Sequence, residues 1–191
     1  MNINRREAVQ RVVMLMGGVV SAPAMAGLRG EKLNHGAFVS VTADQESLLA
    51  EVADVIIPNS GTPGAKAAGV EKFIVRVVRD CYPKEEQEHF YAGLAKLEAN
   101  CQAKTGKSFA QASAVEKKEA LTGIMLESDA ERTANKGKKA PTPFFFMMKE
   151  LTTTGYFTSE IGATKALEYL PIPGKFDGCM PLAPGQKTWA L

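Results

Sequence analysis

Helical spacing of apolar residues constrains this chain more than any other feature. Val70, Phe73, Ile74, Val77 and Val78 fall at i, i+3, i+4, i+7 and i+8, which places five apolar side chains on one face of an α-helix. The pattern recurs on both sides. Thr42 with Gln45 three residues later forms a capping box, and Leu48, Leu49, Val52, Val55 and Ile56 then line one face before Pro58 ends the run. The turn-rich stretch "PNSGTPGAKAAG" separates this helix from the second, which ends near Cys81. Pro83 suits the first turn of a third helix, whose Phe90, Leu94, Leu97 and Cys101 share a stripe and so predict a buried Cys101. Ser113 and Glu116 form a second capping box ahead of Leu121, Ile124 and Met125, and Thr142-Pro143 opens a further helix through "FFFMMKEL". The expected fold is mainly α, a small helical bundle.

The tail "YLPIPGKFDGCMPLAPGQKTWAL" reads differently. Pro171, Pro173, Pro181 and Pro184 rule out a long helix there and leave few donors for a sheet, so the tail should run extended over a surface. The run Phe144 to Met148, "FFFMM", is hydrophobic all round. At least one of its faces needs a cover, supplied either by this chain's own core or by a partner, with Phe176 and Trp189 of the tail as further aromatic anchors.

The amino end has the build of an export signal. Arg5 and Arg6 precede an uncharged run from Val12 to Ala26, and Ala24-Met25-Ala26 offers the small residues that a signal peptidase accepts. The apolar run is shorter than the roughly 20 residues of a membrane helix, and Gly17, Gly18 and Pro23 weaken it further. Paired arginines address the twin-arginine (Tat) route. Glu7-Ala8-Val9-Gln10 stands where that route's usual apolar pair would be, and a general secretory signal is the alternative. Tat carries folded proteins, and a cofactor inserted before crossing is the physical reason to use it.

No pattern for holding a cofactor follows in this chain. Gly106-Lys107-Ser108 resembles the end of a phosphate loop, but Cys101 occupies the position of its leading glycine. No G-x-G-x-x-G follows a strand-like run, and His35 and His89 lie far apart with no i, i+4 partner. Cys81, Cys101 and Cys179 form no C-x-x-C pair. A formal net charge of +2 gives no reason to expect nucleic acid, and Lys136, Lys138 and Lys139 read as a solvated loop. Glu150, Glu160, Glu168 and Asp177 are acids without a nearby histidine, which makes an enzyme with its own site the weakest reading. A continuous helix from Pro83 to Cys101 would be about 27 Å long at 1.5 Å per residue, too far for Cys81 to bond Cys101. Three cysteines permit one disulfide and leave an odd thiol that is buried, free or paired with another subunit; in an oxidising periplasm Cys179 is expected in an oxidised pair, with Cys81 or Cys101 ahead of a third partner.

Two blocks carry a resemblance. "LLAEVADVIIPNSGTPGAKAAGVEKFI" and "LTTTGYFTSEIGATKALEYLPIPGKFDGC" resemble the signature blocks of the gluconate 2-dehydrogenase subunit 3 family. That resemblance implies a small, cofactor-free partner of a periplasmic, FAD-dependent sugar dehydrogenase of the glucose-methanol-choline class. The catalytic chain, without a signal of its own, would bind FAD in the cytoplasm and cross the membrane as a passenger, and its electrons would leave through a cytochrome c or another acceptor. Gluconate, glucose, another polyol or a glucoside oxidised at its third carbon would be read by that chain. Gly155 reads as a helix-stop glycine, and Thr158, Ser159 and Glu160 as an N-cap with a first-turn acid or as partner contacts. The candidate interface comprises Phe144, Phe145, Tyr156 to Glu160 (Tyr156, Phe157, Thr158, Ser159, Glu160), Pro171, Pro173, Phe176 and Trp189. The expected organisation is a signal peptide over 1–26, a linker over 27–41, a helical domain over 42–170 and an extended tail over 171–191. Membrane contact would be confined to the signal, and a free-standing periplasmic binding domain is the competing function.

Overall fold

Thr42 opens the first helix, α1 (Ala43–Ile56), through the reciprocal pair expected of it: its hydroxyl accepts the Gln45 N–H at 3.2 Å, and Gln45 Oε1 accepts the Thr42 N–H at 3.0 Å. The computed structural model describes residues 6–7, 39–172, 174, 178–179, 181 and 183–190. The chain divides into two units, Met1–Ala37 and Phe38–Leu191. In the first, Arg6 and Glu7 are helical and exposed, whereas Arg5 and the rest of the expected signal lie outside the described residues. All that follows concerns the second unit.

Helix α2 (Val70–Cys81) buries Val70, Ile74 and Val78, with Phe73 and Val77 half-buried at its edge. Helix α3 (Lys84–Thr105) buries Phe90, Leu94, Leu97 and Cys101 as one stripe, joined by Gln87 and Tyr91. Pro83 stands just before that helix, in extended conformation, rather than inside its first turn. Gly106 closes α3 at φ 69°, where a side chain would be strained. A short 3₁₀ turn (Phe109–Gln111) precedes α4 (Ala114–Ala134), whose Ser113–Glu116 capping box is present. Leu121 and Ile124 are buried but Met125 is exposed, because the stripe is narrow and Ser128, not Met125, completes it one turn on. Among the described residues there is no strand, only one isolated backbone bridge.

Helix α5 (Phe144–Phe157) is the centre of the bundle and packs against each of the other four helices. This explains the all-apolar run: Phe144, Met147 and Met148 are buried, Phe145 is half-buried, and the Phe146 ring lies 4.3 Å from the Arg132 guanidinium carbon. Two glycines let neighbouring helices come close. A Cβ on Gly93 of α3 would meet the Phe144 Cβ at 2.3 Å, and one on Gly155 of α5 would meet the Phe73 ring at 2.6 Å. Gly155 is therefore not a helix stop. It lies within α5, which runs on to Phe157, and its missing side chain is the space that Phe73 occupies.

One ionic cluster ties α1 to the rest. Glu51 accepts from Lys66 of the following turn and from Lys117 of α4, the latter at 2.6 Å. These hydrogen bonds, that from Lys117 foremost, hold the Glu51 carboxyl below its ordinary value of 4.5. Its stabilisation is accordingly complete above that value and is lost as the pH falls through the lower, folded pKa. Glu51→Ala would leave Lys117, whose side chain is 15% exposed, without its counter-charge. The expected cost is about 2–3 kcal/mol, or roughly 5–10 °C in Tm at neutral pH. Melting curves recorded from pH 7 downwards should show the gap to wild type narrowing in acid; a gap that stays constant would remove the carboxylate from the explanation.

A second tie fixes the start of the unit. The buried Gln87 side chain accepts the Val39 N–H at 3.3 Å and donates to the carbonyls of Arg79 and Tyr82, at 3.2 and 2.9 Å. One amide thus satisfies the turn between α2 and α3 and holds the chain where it enters α1.

Candidate partner interface

Beyond α5 the chain makes one π-helical turn (Gly162–Ala166). Ser159 supports its start: Oγ donates to the Tyr156 carbonyl at 2.6 Å and accepts the Gly162 N–H at 3.0 Å. Thr158 belongs to the helix before, donating to the Thr154 carbonyl at 2.6 Å at the end of α5. Capping is thus the local work of both hydroxyls, and Glu160 stands exposed in the first turn beside them. Gly162 touches the end of α5 so closely that a Cβ would lie 1.8 Å from the Tyr156 carbonyl oxygen.

Leu167 ends the turn in an extended conformation, and the side chains that follow it have little to pack on. Tyr169 is 56% exposed, Leu170 47% and Ile172 81%. Pro171 beside them is exposed as well. The sequence reading passed over Tyr169, Leu170 and Ile172, although a Leu-Pro-Ile-Pro run carries a usable signal: proline removes the helical turns through which such apolar residues would reach a core.

The tail does not simply run off. Ala183-Pro184-Gly185-Gln186 forms a turn closed by Gln186 N–H to the Ala183 carbonyl at 3.0 Å, with Gly185 at φ 77°, as a type II turn asks of its third residue. The chain then returns to the π turn. Glu168 donates its N–H to the Thr188 carbonyl at 2.9 Å and accepts the Ala190 N–H at 2.8 Å, a parallel bridge opposite Trp189. Lys187 Nζ meanwhile reaches the Lys165 carbonyl at 2.5 Å. Trp189 is left 41% exposed, next to the start of the Tyr169–Ile172 run.

The structure therefore divides the candidate interface residues. Phe144 and Tyr156 leave the list of surface contacts: both are buried, Phe144 against Phe90 and Tyr156 with its hydroxyl donating to the Pro63 carbonyl at 2.7 Å. Phe145 is half-buried beside Phe146. Phe157, Thr158, Glu160, Pro171 and Trp189 are exposed, and Ser159 is partly so. Pro173 and Phe176 lie outside the described residues. Of the cysteines, Cys101 is buried in the α3 stripe and Cys81 and Cys179 are exposed.

Other features offer no converging chemistry. Among the described residues no group of three or more His, Cys, Asp or Glu is placed to hold a metal, and no helix is long and apolar enough to cross a membrane. The buried Tyr91 phenol is pushed up to about 12 by burial and keeps its proton at neutral pH. A cleft of about 390 Å³ between α3 and α4 is lined by side chains already committed to each other, His89 with Glu131 at 3.2 Å and Lys96 with Glu127 at 2.8 Å.

A family model described as gluconate 2-dehydrogenase subunit 3 matches residues 43–174, from the first residue of α1 through all five helices and the π turn. The chain belongs to the gluconate 2-dehydrogenase subunit 3 family. Comparison with curated proteins and with solved structures found no match. The family is that of a subunit within a dehydrogenase complex, which points to an accessory role for this member. The match ends at Gly174, so the Tyr169–Ile172 run falls inside the subunit 3 region and the returning segment falls beyond it.

Proposed function

We propose that this subunit 3 chain is the non-catalytic small subunit of a periplasmic, FAD-dependent sugar or glucoside dehydrogenase of the glucose-methanol-choline class, and that it folds with the catalytic flavoprotein and escorts it through the Tat route. The observation that carries the reading is the exposed apolar run Tyr169, Leu170 and Ile172, with Trp189 bridged to its start, on a chain of this family; the other large apolar side chains left exposed among the described residues are Val115, Met125 and Leu126 of α4 and Phe157 at the end of α5. A surface of that kind asks for a protein cover. FAD belongs to the partner, which reads the sugar and passes electrons to a cytochrome c or another acceptor.

Purified alone, the chain should be colourless and without dehydrogenase activity. Co-expressed with a leaderless flavoprotein encoded beside it, it should co-purify as a yellow complex that oxidises a member of a sugar panel with an artificial electron acceptor. A flavin absorbance band on the isolated chain, or a flavoprotein that purifies fully active without it, would refute the proposal.

A further inference from the structure

The returning segment Ala183–Ala190 is tied to the end of the π turn by backbone and by Lys187, and with it in place Tyr169, Leu170 and Ile172 stay exposed. A segment serving to shield that run would have to lie across it. Instead it fastens the base of the run, because Glu168, the residue before Tyr169, is held on both its N–H and its carbonyl. It also supplies a donor to the Lys165 carbonyl, one of the acceptors left open where the π turn ends. Trp189 is carried to the same edge and adds its ring to the exposed surface. The turn that directs the segment back is locally encoded by Pro184 and Gly185.

We infer that Ala183–Ala190 is a strap that pre-orders the Tyr169–Ile172 run and Trp189 as one docking surface for the flavoprotein, lowering the ordering entropy that binding would otherwise incur. This rests on the reading of the chain as a dehydrogenase subunit. A loop tied at both ends loses less freedom on docking than a loose tail with the same side chains. The strap lies beyond the family match, whereas the Tyr169–Ile172 run lies within it.

The test uses the full chain with variants that open the strap but keep every exposed apolar side chain. The double variant Lys187→Ala/Ala190→Pro removes the Lys165 tie and the Ala190 donor, and Gly185→Val independently disrupts the turn at φ 77°. Trp189 is the only tryptophan, so quenching of its fluorescence by acrylamide reports strap opening directly. Both variants should show greater quenching, unchanged helical circular dichroism and melting, and affinity for the purified flavoprotein weakened by about tenfold. Variants that are open by quenching yet bind as tightly as wild type, or more tightly, would overturn the strap's role while leaving the subunit reading intact. Unchanged quenching in both variants would show that the strap is not closed in solution and would overturn it as well. Failure of the wild-type chain itself to bind the flavoprotein would overturn the subunit reading and the strap's role with it.

Discussion

Alanine in place of Gly162 is expected to be the most damaging glycine-to-alanine change among the described residues. The added carbon would sit 1.8 Å from the Tyr156 carbonyl oxygen, 2.7 Å from its carbon and 2.9 Å from the Phe157 Cα. All three are backbone atoms at the end of α5, so no rotamer change can relieve the overlap. Tyr156 is itself held, its ring buried and its hydroxyl bonded to Pro63, and Ser159 bonds both Tyr156 and Gly162. Either the π turn must move off α5 or α5 must shift within the bundle. The cost should exceed the usual overpacking range and reach about 3 kcal/mol or more, a fall of at least about 6–12 °C in Tm. Gly123→Ala is the control: in the middle of α4, its Cβ would meet only Lys104 Nζ, at 3.8 Å. It should stabilise by up to about 1 kcal/mol, from helix propensity alone. Thermal melts followed by circular dichroism should separate the two in opposite directions. A Gly162→Ala protein that melts with wild type would mean that the π turn does not pack on α5 as described.

Replacing Arg5 and Arg6 together with lysine is expected to abolish delivery without touching the fold. Lysine keeps the positive charge and leaves the apolar run from Val12 to Ala26 intact, but removes the planar guanidinium groups that a twin-arginine receptor reads. A general secretory signal asks mainly for a positive start and an apolar stretch and should tolerate the change. On the proposed escort role, periplasmic dehydrogenase activity in the double-lysine variant should fall to background while activity in whole-cell lysate persists, with the flavoprotein kept folded and FAD-loaded in the cytoplasm beside this subunit. Continued export of both chains would disprove the Tat route. A flavoprotein that reaches the periplasm without this subunit would disprove the escort role alone.

The helices were legible because their signals are local. Each capping box lies within four residues, and the apolar period of α2 or α3 is read within one helix. What the sequence hid depends on neighbours far along the chain. Gly155 looks like a stop when only its own helix is considered; its role becomes visible once Phe73 of α2 is seen beside it. Phe144 became a candidate outward contact because a run that is hydrophobic all round exceeds what one helix face can bury, an argument that holds for a peripheral helix and fails for one enclosed by four others; Tyr156 became one only through the family block it belongs to. The pairing of Glu168 with Trp189 has no signature in either segment, since a single backbone bridge places no demand on side-chain type. The tail's exposed run was within reach, as its prolines exclude a helix and leave Leu170 and Ile172 no route inward.

The central position of α5 also bears on how the chain is made. The helix that all the other four pack against is the last of the five to be synthesised, so α1 can pair with α2 and α3 with α4 as they emerge, but the faces they turn to α5 stay bare until it arrives. At about 5–20 residues per second, an interval of roughly 8–30 seconds separates the exit of the amino end from that of Phe157. Throughout that interval the nascent chain is a string of sticky amphipathic segments, open to whatever apolar surface is nearby, including a partner chain that is itself still folding. If the chain takes the proposed Tat route, which admits only folded cargo, the clearance to leave is set by the arrival of one late helix.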